Sequence, residues 1–126
     1  MSRDIIIIAH DIRSAHNVGA LLRTADGFGI SHVYFTGYTP YPVHDGDVRM
    51  PHIATKLEKQ INKTALGAQN SVPWSHEPDL DVVLSELKSQ GYTIAALEQS
   101  NDAVSLPEYT PPAKVAIVLG REVEGI

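Results

Sequence analysis

Two stretches of this sequence gather residue types suited to holding a substrate. In NVGALLRTADGFG, residues 17–29, a helical wheel puts Arg23 about 160° from the stripe of Val18, Leu21, Leu22, Ala25 and Phe28, so the guanidinium is expected on the exposed face. Gly19 lies one turn before Arg23, and a glycine inside a helix costs about 1 kcal/mol relative to alanine. Something is therefore expected to approach the backbone there, a ligand being one candidate. Asn17 stands at the strand-to-helix junction, where it can cap the helix or hold a ligand group. In KVAIVLGREVEGI, residues 114–126, an apolar strand leaves through Gly120 into Arg121, Glu122 and Glu124. A glycine directly after a parallel strand lets a nucleoside-sized ligand lie against the backbone, and a neighbouring carboxylate can bind sugar hydroxyls or hold an arginine. A polar turn with solvated charges fits the same residues.

Other chemistries are less well supplied. The six histidines form no i, i+4 pair, and HDGD at residues 44–47 is too short for a calcium loop, so no metal site is expected. No Gly-x-Ser-x-Gly elbow, P-loop or Gly-x-Gly-x-x-Gly occurs. Thr36 to Pro51 carries three prolines, two glycines and no periodicity. Ordered loops of that length are often functional, and Tyr38, Tyr41 and Arg49 could offer stacking faces and a phosphate contact to an RNA strand. A proline-pinned surface loop is the plainer reading.

The elements that must position these residues are legible from periodicity. A chain of 126 residues, 43% of them hydrophobic, forms one domain, expected over residues 1–126. Ten basic against fifteen acidic residues leave a net charge of −5, so any nucleic-acid contact must be local. There is no cysteine, no apolar run long enough for a signal peptide and none near the ~20 residues of a membrane span, which points to a soluble, cytoplasmic protein. DIIIIAH, HVYFTG, YTIAAL and KVAIVLG are apolar, β-branched runs typical of strands buried on both faces. Helices are expected at NVGALLRTADGFG, at Pro51 to Leu66 with Ile53, Leu57 and Ile61 at i+4 spacing, and at DLDVVLSELKSQG with Asp79 near its start. This alternation predicts an α/β fold: an open parallel sheet with helices on both faces, ligands sitting at the carboxyl ends of the strands.

Taken together, NVGALLRTADGFG, KTALGAQNSVPW and VAIVLGREVEGI resemble the SpoU, or TrmH-type, family of RNA ribose 2′-O-methyltransferases in the SPOUT superfamily. The first stretch is similar to that family's first motif, Asn-x-Gly followed by Arg-Thr-Ala and Phe-Gly. The last is similar to its second, Gly-x-Glu-x-x-Gly after a buried strand. The resemblance implies catalytic positions at Asn17, Arg23 and Glu122. It implies S-adenosylmethionine binding around Leu97, Glu98, Leu119, Gly120 and Ile126 and an RNA entrance flanked by the positions around Lys63 to Ala68; with the loop residues, the expected RNA contacts are Arg23, Tyr38, Arg49 and Lys63. The implied partner is a tRNA or rRNA, and the complete protein is expected to be a homodimer. Members of the family continue into a third, Ser/Asn-rich motif and a final helix that thread a deep knot. This sequence contains neither, so the 126-residue chain is expected to lack the knot-forming segment and to be inactive by itself. The alternative is a non-catalytic RNA-binding or assembly domain on the same fold.

Overall fold

A computed structural model describes residues 4–44, 46–97 and 113–120. Five strands form one parallel sheet: β1 (Asp4–His10), β2 (His32–Thr36), β3 (Trp74–His76), β4 (Thr93–Leu97) and β5 (Lys114–Leu119), in the spatial order β3-β2-β1-β5-β4. Among the described residues three α-helices accompany them: α1 (Ala15–Phe28), α2 (Pro51–Ala65) and α3 (Leu80–Ser89). The expected parallel α/β architecture is present.

Alternation along β1 divides the core. Ile7 and Ala9 point to one face, where they pack with Val18, Leu22 and Ala25 of α1 and Ile61 and Ala65 of α2. Ile6 and Ile8 point to the other, against Val83 and Leu87 of α3. Both faces are thus covered, which is why β1 reads as a continuous apolar run.

Three details differ from expectation. The fifth strand, β3, pairs only Val33↔Trp74, Tyr34↔Ser75 and Phe35↔His76, and three residues are too few to show a period. Phe28 falls on the apolar stripe of α1 by spacing, yet it is 79% exposed. Gly29 takes a left-handed φ of 67° and its N–H bonds back to Asp26, while the Ile30 N–H bonds to the Ala25 carbonyl at 3.0 Å. This reverse turn delivers Ile30 to the core in place of Phe28. On α2 the inward stripe is Ala54, Ile61 and Ala65, and Ile53 is 44% exposed. At α3 the expected Asp79 is the N-cap, its carboxylate accepting from the Asp81 N–H at 3.0 Å.

Candidate functional site

The carboxyl ends of the central strands are stitched together by two buried threonines. Thr39 Oγ1 donates to the Ala9 carbonyl at 3.0 Å and accepts from the Ile12 N–H at 2.9 Å. Thr36 Oγ1 lies 3.4 Å from the same carbonyl and 2.9 Å from His10 Nδ1. Asp11, with φ of 54°, turns the chain out of β1, and its Oδ1 accepts from the Tyr38 N–H at 3.1 Å. Gly37 allows this, because a Cβ there would collide with the Asp11 carboxylate. The loop that launches α1 is therefore fixed by β2 and its exit. Nothing local in the sequence around Asp11 announces these partners, 27 and 30 residues away.

Asn17 sits in the first turn of α1. The cap is Ser14, whose Oγ accepts from the Asn17 N–H at 3.2 Å. Capping is therefore not what Asn17 does, and its exposed position is compatible with a ligand role. Arg23 is exposed, as the wheel predicts. Six residues separate the two, so they leave the helix about 120° apart and about 9 Å along its axis, and Asn17 is not placed to orient Arg23 on the same helix.

Arg23 lines an open groove of about 590 Å³ between α1 and α2, with Ala20, Thr24, Phe28, Lys63 and Thr64. What approaches Gly19 is α2 itself. A Cβ at Gly19 would collide with Thr64 Oγ1 and the Ile61 carbonyl, and Thr64 Oγ1 donates to the His16 carbonyl at 2.7 Å. The glycine thus serves helix packing, and the contact sets Arg23 and Lys63 side by side across one groove.

β5 lies between β1 and β4, with Leu119 the Cα partner of both Ala9 and Leu97. The three strand ends reach one level there, and Gly120 follows directly. Leu119 also packs, partly buried, on the α1 side of the sheet. Glu98, Glu122 and Ile126 lie outside the described residues.

Arg49 is used differently from the expectation of a phosphate contact. Its Nη2 pairs with Asp47 Oδ2 at 2.6 Å, and Nη1 and Nη2 donate to the Tyr41 and Pro42 carbonyls at 3.0 Å each. Its guanidinium lies 3.7 Å from the centre of the Tyr41 ring, which stacks on His76 at 3.8 Å. The hydrogen bond from Arg49 holds the Asp47 carboxyl well below the usual carboxylate range. Arg49 and Tyr41 therefore clamp the loop internally, whereas Tyr38 is 50% exposed beside a shallow pocket shared with Arg13 and Pro78.

Comparison with known proteins bears on this arrangement. Residues 4–126 match the SpoU rRNA Methylase family. A Staphylococcus haemolyticus protein named for the TrmH family of tRNA/rRNA methyltransferases is 28% identical over 121 residues, which are 96% of this chain and 43% of that protein. The chain thus spans less than half the length of this curated relative. An AdoMet-bound rRNA methyltransferase from Sinorhizobium meliloti superimposes with a TM-score of 0.73 at 16% identity, over 100% of this chain and 42% of its own. An RNA 2′-O ribose methyltransferase gives a TM-score of 0.72 at 24% identity, over 100% of this chain and 42% of its own. With the family match running the length of the sheet and both helical faces, this chain belongs to the SpoU rRNA methylase family.

Proposed function

We propose that the protein carrying this chain transfers a methyl group from S-adenosylmethionine to a ribose 2′-hydroxyl in a tRNA or rRNA. The observation that carries the reading is the strand-end level where Ala9, Leu97 and Leu119 meet and Gly120 follows, on a fold shared with an AdoMet-bound rRNA methyltransferase and an RNA 2′-O ribose methyltransferase. A strand end followed directly by a residue with no side chain leaves room for a nucleoside to lie against the backbone. When bound, the cofactor supplies a methyl group on a sulfonium, already activated for in-line displacement.

The work left to the chain is alignment, deprotonation of a weakly acidic alcohol and stabilisation of negative charge. Alignment alone supplies about 7–11 kcal/mol in favourable cases. A guanidinium is a poor literal base; the role of Arg23 in this reading is to hold the phosphate beside the target ribose and to stabilise developing alkoxide charge. Asn17 orients the hydroxyl, and Glu122 fixes the local geometry. Because Asn17 and Arg23 diverge on α1, a second copy of the chain, supplying an arginine or a loop, completes the site in a homodimer.

Calorimetric titration of the complete protein that carries this chain with S-adenosylmethionine tests this. Gly120→Val is expected to abolish cofactor binding that Arg23→Lys leaves intact. Equal loss in both variants would defeat the assignment of separate roles. No binding by the unsubstituted protein, with RNA binding retained, would favour a non-catalytic RNA-binding domain instead.

A further inference from the structure

The chain has five lysines, and three of them, Lys56, Lys59 and Lys63, lie on α2. At 100° per residue, these three and His52 fall within an arc of about 60°. That arc points about 180° away from Ala54, Ile61 and Ala65, the residues by which α2 is buried. All four basic residues are exposed, and they line one shallow surface depression with Pro51, Thr55 and Gln60. Glu58, the one acidic residue of the helix, falls about 100° from Lys59 and about 130° from the middle of the arc, toward the other side.

In a chain with a net charge of −5, such segregation is a local reversal of sign. Among the described residues none of these lysines is in an ion pair, and exposed lysines grouped in this way are suited to a polyanion. The stripe also has a direction. Lys63 lines both this depression and the groove that contains Arg23, so the four α2 positions and Arg23 form one unbroken cationic path. From His52 to Lys63 the path runs about 16 Å along the helix axis, with its lysines about 4.5 and 6 Å apart. The hydrogen bond from Thr64 to His16 and the close packing at Gly19 hold α2 against α1, so the path and Arg23 move together.

We propose that the exposed face of α2, at His52, Lys56, Lys59 and Lys63, is a docking track for the phosphate backbone of the RNA substrate, leading the strand to Arg23. The inference rests on the reading of Arg23 as the group beside the target phosphate, and it adds a sequence-independent anchoring surface outside the strand-end site. Lysine, a compact and flexible cation, suits such a track better than a fixed bidentate contact, because it neutralises phosphates without selecting bases.

Salt dependence separates the track from the site. A fluorescein-labelled, tRNA-sized transcript is titrated with the protein across a potassium chloride series, and log K is plotted against log salt. Each phosphate neutralised contributes a slope of about −0.9 on duplex and about −0.7 on single-stranded nucleic acid. The triple variant K56Q/K59Q/K63Q is expected to lower the magnitude of the slope by about 2–3 while S-adenosylmethionine binding is unchanged. The control K88Q/K114Q, which removes charge from α3 and β5, is expected to leave the slope as it was. A slope unchanged in the triple variant but lowered by Arg23→Ala overturns the track and leaves the proposed function standing. Equal effects of the triple and control variants overturn it as well, since binding then follows net charge alone. Displacement of the transcript by polyglutamate at equal charge concentration would also overturn it, the surface then fitting an acidic peptide. No RNA binding by the unsubstituted protein removes the track and the proposed function together.

Discussion

The hydroxyl of Thr64 donates to the main-chain carbonyl of His16 at 2.7 Å, joining the last turn of α2 to the first turn of α1 across 48 residues. Gly19 makes the contact possible by presenting no side chain to Thr64 or to the Ile61 carbonyl. Gly19→Ala gains about 1 kcal/mol in helix propensity, yet overpacking against backbone costs about 1–3 kcal/mol. A net loss of stability is expected in urea denaturation. Thr64→Val, which removes one hydrogen bond at similar volume, is expected to lose about 1 kcal/mol. A more stable Gly19→Ala variant would contradict the close packing of the two helices.

The loop before α2 depends on one ion pair. Arg49 and Asp47 keep only 15% and 9% of their side chains exposed, and the same guanidinium reaches two loop carbonyls. Asp47→Asn removes the charge that holds it there and is expected to cost about 2 kcal/mol, in the range for hydrogen bonds to charged groups. Faster proteolytic cleavage between residues 37 and 50 would accompany the loss. Unchanged cleavage and stability would show that the clamp is not needed for the loop's conformation.

Two histidines give stability a defined pH dependence. Burial lowers the pKa of His32, which bonds to Ser75 at 2.8 Å, and burial followed by the charge of Arg49 lowers that of His76. The unfolded chain therefore binds the extra protons first, at its ordinary value of about 6.5. Stability is full above about pH 6.5 and falls as pH drops below it, levelling off under the folded-state values. Urea midpoints are expected to decrease from about pH 7.5 to about pH 5.5, and the decrease is expected to shrink in His76→Gln. A midpoint that rises on acidification would contradict the buried environment of both rings.

Tyr92 ties the start of β1 to the entrance of β4, its hydroxyl donating to Asp4 Oδ2 at 2.5 Å. That bond pushes the phenol up to about 12. Burial also raises Tyr34, so spectrophotometric titration is expected to show late-ionising tyrosine above the ordinary value of about 10 and to lose its latest step in Tyr92→Phe. Uniform titration near 10 would contradict the pairing.

Much of the scaffold was legible because its signals are local. The apolar runs at Ile5–Ile8 and Val115–Val118 name their strands by composition, and the 3.6-residue period of Val18, Leu22 and Ala25 names α1. Phe28 misled because the left-handed turn at Gly29, one residue later, decides which apolar side chain enters the core. Arg49 looked like a phosphate contact because its partners at Tyr41, Pro42 and Asp47 come together only when the loop is folded. At the site, the exposed face carrying Arg23 follows from the helical wheel. The lock between Thr64 and His16, by contrast, depends on two helices meeting, and no spacing within either one encodes it.

The most direct test of the account is the identity of the methylated product. The complete protein that carries this chain is incubated with tRNA or rRNA and S-adenosylmethionine carrying a labelled methyl group, and the RNA is then digested to nucleosides and resolved by mass spectrometry. Label is expected on the ribose, as a 2′-O-methylnucleoside, with most of it lost in Arg23→Lys despite unchanged cofactor affinity. Label on a base, or full ribose methylation by Arg23→Lys, would contradict it.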